Sequence, residues 1–458
     1  MKHIHFYISV LLAVSGLLSG CGIYTRYSRH DLDVNTDNLY RIPVVEKDSA
    51  TMALKPWREL FTDPHLQVLI ATGLKRNTNL GIARLQVEEA QAVLMNARLS
   101  YLPSVSLTSQ TGVSNYRGET KKTYNIGSIV SWEADIFGRV ANAKHGAAAS
   151  LEQSRAYAQA VQTQLVATIA ESYYTLLMLD EQLAISNKTL ENWDETIATL
   201  EALAQTGKSN NVAIHQAHAS RTALEASVLT IRKNISETEN ALSALLKRPS
   251  RIINRSTLTD MRFSDEISIG MPLLILSNRP DVKQAEAALA ETFYATNSAR
   301  AAFYPNLTLS GSLGWTNNGS GAILNPGKWL SSAIASLTAP LLNKGTNIAN
   351  LKIAKARQQE ATMRFEQSLL DAGNEVNNAL TEWQTADRRI MLDRQQIADL
   401  EAATEKTRLL MRYTSVNYLE VLTVQQSLLN ARLTLAQDRI DKVQAVIHLY
   451  HAIGGGIE

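Results

Sequence analysis

The sequence predicts a mainly α protein with β, built as two diverged copies of one unit, each pairing strands with very long helices. Three observations point there. Prolines number ten in 458 residues and aromatics make up 6%, a composition that favours long uninterrupted helices over a compact mixed fold. Two stretches, NARLSYLPSVSLTSQTG (96–112) and SARAAFYPNLTLSGSLGW (298–315), repeat one pattern about two hundred residues apart. Each runs helix-forming residues into a proline, Pro103 or Pro305, and emerges with polar and apolar side chains alternating.

In chain order, the first element is a targeting segment rather than part of the fold. Lys2 supplies positive charge, and Phe6 to Leu18 is an apolar run too short to span a bilayer as a helix. It ends in Leu18-Ser19-Gly20-Cys21, which resembles a bacterial lipobox. Residues 1–20 are therefore expected to leave as a lipoprotein signal peptide, with Cys21 carrying N-acyl diacylglycerol. Cys21 is the only cysteine, so no disulfide forms within the chain. A chance cysteine behind an ordinary signal is the plainer alternative. Residue 22 is glycine, not the aspartate of the usual inner-membrane retention signal, so the outer membrane is expected, with 21–60 a lipidated N-terminal extension.

The duplication is read residue by residue. Ala97-Arg98 matches Ala299-Arg300, Pro103 matches Pro305 and Gly112 matches Gly314, each offset by 202. WEADIFGRV (132–140) occupies the place of LTAPLLNKG (337–345), and NVAIHQAHASRTAL (211–224) falls against EVLTVQQSLLNARL (420–433) at offset 209. The expected organisation is a first repeat over 61–247, a linker or equatorial segment over 248–278 holding Pro249 and Pro272, a second repeat over 279–453, and a tail over 454–458.

Each repeat opens with a helix, 64–100 or 280–302, rich in alanine and glutamate. A strand pair follows, about 103–137 or 305–342. Helical signal then resumes over about 139–206 and 346–412 with no proline in either run, and continues to 247 and 453. A helix of about 67 residues is roughly 100 Å long, too long for a globular interior. Leu165, Ile169, Leu176, Leu179, Leu183, Leu190, Trp193, Ile197 and Leu200 step alternately by four and three, with serines at 172 and 186. That is a heptad seam for helix packing. Val376, Leu380, Trp383, Ile390 and Ile397 continue it in the second copy, interrupted by Asp387 and Arg394.

The strands have an apolar face and a polar one. In 124–136 the first reads Tyr124, Ile126, Ser128, Val130, Trp132, Ala134, Ile136, and the second holds Asn125, Gly127, Ile129, Ser131, Glu133, Asp135. In the second copy Leu307, Leu309, Leu313 and Trp315 oppose Asn306, Thr308, Ser310 and Ser312. Lipid-facing and lumen-facing sides of a membrane barrel alternate this way. Tyr124, Trp132 and Trp315 are then expected in aromatic girdles, and Glu133 and Asp135 on the lumen side. Four strands are too few to close a barrel, and lipid tolerates no open edge, so an oligomer is required in which each chain supplies a quarter, a third or a half.

These residues resemble the outer-membrane efflux proteins of the TolC type, in the lipoprotein branch that partners resistance-nodulation-division pumps. The likeness covers nearly the whole mature chain. It is strongest in NRPDVKQAEAALAETFYATNSARAAFYPNLTLSGSLG (278–314), WEADIFGRV, NYLEVLTVQQSLL (417–429), LYHAIGGG (449–456) and FTDPHLQVLIATGLKRNTNL (61–80). The resemblance implies a homotrimer with a twelve-stranded outer-membrane barrel continuous with a periplasmic tunnel of packed helices. It implies a passive exit duct, docked by a periplasmic adaptor, driven by an inner-membrane transporter, and opened by an iris-like movement of helix tips. Gate residues carried over are Glu420, Thr423, where the family often has aspartate, and Asn210 and Asn211. The family's tip glycine is Thr414 here, while Gly207 keeps it in the first copy.

Other classes are disfavoured. A net charge of +2 gives no electrostatic footprint for nucleic acid. No Walker loop, nucleophile elbow or H-E-x-x-H is present, so no enzyme is expected. His215 with His218, and His448 with His451, have helix-face spacing but no further ligands nearby, and read as bystanders; no metal or cofactor is expected. The rival from another class is a lipid-anchored periplasmic coiled-coil adaptor, against which the duplicated strand pairs argue. Cargo stays open among drugs, metal ions and other toxins.

Overall fold

The computed structural model describes residues 25–28, 56–206, 210–258, 279–316, 328–339, 343–413 and 418–455. Cys21, the signal segment, Gly207 and Thr414 lie outside them. In chain order the elements are α1 (Trp57–Leu60), α2 (Pro64–Arg76), α3 (Thr78–Leu99), β1 (Ser104–Tyr116), β2 (Glu119–Ala134), α4 (Arg139–Gln205), α5 (Asn211–Leu245), α6 (Pro280–Ala301), β3 (Asn306–Thr316), β4 (Lys328–Thr338), α7 (Thr346–Tyr413) and α8 (Tyr418–Ala452). The two long helices span 67 and 68 residues, as their freedom from proline predicts.

The expected single helix over 64–100 is instead two. Asn77 interrupts it: its side-chain oxygen accepts from Leu80 N at 3.0 Å while its amide donates to Leu245 O at 2.9 Å. An asparagine that caps the next turn competes with helix continuation. The helices that run into the prolines end within one residue of expectation. α3 ends at Leu99 and α6 at Ala301, each four residues before its proline. A proline ring clashes with the carbonyl of residue i−4 in a helix, so the helices stop there and a turn of irregular backbone intervenes.

The chain forms two compact units, each drawing on both repeats. One comprises Met1–Asn35, Leu85–Ala156 and Lys283–Gln367; the other comprises Thr36–Arg84, Tyr157–Val282 and Ser368–Glu458. The first holds a four-stranded antiparallel sheet in the order β1-β2-β3-β4. Its first hairpin turns on Arg117 and Gly118, both at positive φ, 52° and 84°, the geometry of a tight two-residue hairpin turn. β2 and β3 join the two hairpins.

The second unit is helical, with two apolar clusters. One gathers Trp57, Phe61, Leu66, Ile70, Ile169, Tyr173, Leu176, Leu242, Val376, Ile440, Ile447 and Tyr450. The other gathers Trp193, Ile197, Leu200, Ala213, Leu224, Val421, Leu422 and Leu429. The heptad seam supplies both, and its vacant steps are filled by serines bonded to their own helix: Ser172 to Thr168 O and Ser186 to Gln182 O, both at 2.7 Å.

A buried acid lies between the clusters along α8. Asp438 is fully buried, with Arg389 Nη2 2.6 Å from its carboxylate. Burial, and then the neighbouring Asp393 carboxylate, push it up to about 6 against the pull of Arg389, with Asp441 adding repulsion. An acid raised in the folded state contributes stability that is full below its unfolded value near 4 and is lost as pH rises through about 6. Asp438→Asn should therefore flatten the loss of stability between pH 4 and 7 by about 2 kcal/mol. Urea unfolding midpoints at pH 4, 5.5 and 7 check this; an unchanged slope assigns it elsewhere.

Candidate channel wall and helix tips

The wall is built by register. Val105 pairs with Val130, Trp132 with Leu309 and Ile126 with Trp315, and Leu307 with Leu337. Directly opposed residues share a face, so the apolar alternation of β1, β2 and β3 lines up on one side of the sheet, joined by Leu337 of β4, whose Ile334 instead falls opposite Ser310 on the other side. The other side aligns Thr108 with Gly127, Ser131 with Ser310 and Ser312 with Ser332, the last pair joined by hydroxyls 2.7 Å apart. The apolar side is open in a single chain: Leu107 is 81% and Val113 72% exposed. Among the described residues no helix is long and apolar enough to cross a membrane. The outer edges of β1 and β4 have no strand partner within the sheet.

Of the expected girdle, Trp132 and Trp315 are 38% and 37% exposed on the shared face, about six register steps or roughly 20 Å apart along the strands. Trp132 Nε1 also donates to Tyr101 O at 2.9 Å. Tyr124 departs from expectation. It is 5% exposed, packed within the chain rather than turned outward.

The paired acids are corrected too. β2 ends at Ala134, so Asp135 lies past the strand. Its two oxygens accept Val140 N at 3.0 Å and Ala141 N at 2.7 Å, which satisfies first-turn donors of α4. Asp135 is a helix cap, not a lumen acid. Glu133 remains on the polar side of β2 and is ion-paired with Arg139.

At the helix tips, Asn210 caps α5, its side chain accepting Ala213 N at 3.0 Å, and Asn211 is exposed beside it. Glu420 is exposed in the first turn of α8, where the helix dipole favours an anion. Thr423 donates to Leu419 O at 2.7 Å within the same helix. Sequence reasoning missed the residues that tie these helices together. Asp194 on α4 meets Arg221 Nε on α5 at 2.6 Å. Glu195 on α4 meets Arg408 on α7 at 2.5 Å. Glu401 on α7 meets Arg432 on α8 at 2.6 Å, and Gln425 on α8 donates to Thr196 on α4 at 3.0 Å. Polar links thus join α4 to α5, α7 and α8, and α7 to α8.

Farther along the same helices, His448 of α8 lies 3.3 Å from Glu171 of α4 and 3.1 Å from Glu382 of α7. Hydrogen bonding to Glu171, then to Glu382, lifts His448 to about 9 despite burial. It is therefore a cationic clamp at neutral pH rather than a bystander. Its neighbour His451 is held below its ordinary value, first by burial and then by Arg279. Among the described residues no cluster of three or more His, Cys, Asp or Glu side chains could hold a metal ion.

A sheet with one continuous apolar face and open edges, borne by a chain of paired very long helices, defines the channel-forming class of outer-membrane proteins. The comparisons place the chain within that class. Residues 69–247 and 272–455 match the family model described as outer membrane efflux protein, and the chain belongs to that family. It is similar to the cation efflux system protein CusC of Escherichia coli K12, 30% identical over 87% of this chain and 88% of that one. It is similar to the probable outer membrane lipoprotein SilC of Salmonella typhimurium, 27% identical over 90% and 91%. The solved open state of the Neisseria gonorrhoeae MtrE outer membrane channel superposes with TM-score 0.86 at 26% identity, covering 95% and 98% of the two chains. The protein is an outer-membrane efflux channel.

Proposed function

We propose that three copies close a twelve-stranded barrel continuous with a periplasmic helical tunnel. The trimer then acts as the passive exit duct of a tripartite pump, anchored by acylated Cys21 and docked by a periplasmic adaptor and an inner-membrane transporter of the resistance-nodulation-division type. The carrying observation is the four-stranded sheet with two unpaired edges and one continuous apolar face. Unpaired backbone edges are untenable in lipid, so β1 of one copy takes β4 of the next. Trp132 and Trp315 then mark the two interfaces of the apolar band. The likeness to SilC, a probable lipoprotein by name, supports the anchor. Native mass measurement after detergent extraction of outer membranes tests the assembly. A stable trimer is expected; a urea-washable monomer, as an adaptor would give, overturns it.

The tips are proposed as an iris-like gate, with Glu420, Thr423 and Asn211 near the aperture and the links among α4, α5, α7 and α8 holding it shut. The open state described for the gonococcal channel supports a family member that opens. Exposed ion pairs are worth about 0.2–1 kcal/mol each, so losing two per protomer, six per trimer, shifts a closed–open equilibrium substantially without unfolding the helices. The double variant Arg221→Ala, Arg408→Ala should raise the conductance of reconstituted trimers severalfold, and Glu420→Ala should raise it less. Conductance unchanged in the double variant would show that these links do not hold the gate.

A further inference from the structure

The chain leaving α5 builds a basic cavity that the channel reading does not use. Its volume is about 390 Å³, and it is lined by His65 and Val68 of α2 together with Arg248, Arg251, Ile252 and Asn254. The exit from α5 is strained. Lys247 adopts a left-handed φ of 49°, a position that glycine usually takes at a helix end. Lys247 N bonds Ala244 O at 3.0 Å and Arg248 N bonds Ser243 O at 3.1 Å. Arg248 and Arg251, on the segment that follows, line the same cavity.

Their charges are uncompensated. Arg248 Nε is buried without a hydrogen-bond partner. Burial, then the like charges of Arg251 and Arg76, hold the Arg248 guanidinium below its ordinary value. Among the described residues none of these three arginines forms an ion pair. The nearby acid, Asp63, is committed elsewhere: its oxygens accept His65 N at 2.8 Å and Tyr173 Oη at 2.5 Å. Cations near the C-terminus of α5 suit the helix dipole, which accounts for one arginine there. It does not account for a second, Arg251, lining the same cavity beside an unfilled donor. Guanidinium groups present paired donors that match carboxylate and phosphate oxygens, and an anion entering here would relieve both the repulsion and the orphan Nε–H.

We propose that this cavity is an oxyanion-binding site, taking a carboxylate or phosphate group between Arg248 and Arg251. The neutral amide of Asn254 supplies a further donor, and the His65 ring, which also lines the cavity, can offer an N–H.

The test is calorimetric titration of the full-length protein in detergent with inorganic phosphate and, separately, acetate, each against chloride at matched ionic strength. Saturable binding of at least one is expected, and the preferred anion tells a phosphate site from a carboxylate site. Arg251→Ala, an exposed substitution that leaves the helix end intact, should weaken binding roughly tenfold, as loss of a charged hydrogen bond does. Arg248→Gln should do likewise, while Lys233→Ala, exposed on another part of α5, should change nothing. Absence of saturable binding by the wild type, or binding unaffected by Arg251→Ala, would overturn the proposal.

Discussion

Arg279→Ala is expected to destabilise the helical unit by about 1–3 kcal/mol, the scale for removing a buried group that makes charged hydrogen bonds. The Arg279 side chain is only 3% exposed, yet all three of its nitrogens are used. Nε and Nη2 grip the Asp281 carboxylate at 3.0 and 2.6 Å, and Nη2 also reaches Glu375 at 2.7 Å. Nη1 donates to Ala452 O at 2.6 Å, capping the carbonyl end of α8. One residue thus ties the start of α6, the middle of α7 and the end of α8. Burial, the largest single influence, would raise Asp281, but the hydrogen bonds and charge of Arg279 together with backbone N–H donors outweigh it and hold its carboxyl below the ordinary value. Removing the guanidinium leaves the Ala452 carbonyl without its donor and takes the shared cation from Asp281 and Glu375, whose side chains are 46% and 50% exposed. Arg279→Lys should recover part of the loss, since an ammonium keeps the charge but not the fork. Urea unfolding of the three proteins checks the order; an alanine variant within 1 kcal/mol of wild type would overturn the account.

This junction also marks where sequence legibility stops. Arg279, Pro280 and Asp281 stand out in the sequence only as part of a family motif. Their partners Glu375 and Ala452 are 96 and 173 residues away, a separation that no local pattern encodes. The tip links are hidden for the same reason, since Glu195 and Arg408 are 213 residues apart. What local chemistry controls was readable. The long helices were expected over 139–206 and 346–412 and run over Arg139–Gln205 and Thr346–Tyr413, because proline exclusion and a heptad seam act along the chain. The strand faces were readable because period two is fixed by the backbone. Errors came where a single polar side chain changed the backbone's partners. Asn77 splits a helix whose flanking residues Thr78 and Asn79 are themselves cap formers. Asp135 obeys the alternation of β2 but answers to the donors of α4. Burial of Tyr124 has no signature in alternation at all.

Gly314→Val is expected to abolish the proposed trimer, because the contact it disturbs is backbone against backbone. Gly314 pairs with Gly127 across β2 and β3. A Cβ built on Gly314 would sit 2.5 Å from Ile126 O and 2.7 Å from Gly127 Cα; one on Gly127 would sit 2.8 Å from Leu313 O. A clashing side chain can rotate away, but main chain cannot, so the strands must separate locally. The β2–β3 ladder is the one seam joining the two hairpins, and isolated two-stranded hairpins are marginal at best. Loss of this seam adds two further unpaired edges per copy, which lipid will not accept. The alanine variant should already reduce the yield of the proposed trimer from outer membranes, and valine should eliminate it. Gly311→Ala supplies the control, since its nearest contact would be Ser332 O at 3.7 Å, an ordinary packing distance on a neighbouring pair of the same strand. If Gly314→Val trimers are recovered and melt like those of Gly311→Ala, the close approach of β2 and β3 does not hold the sheet together.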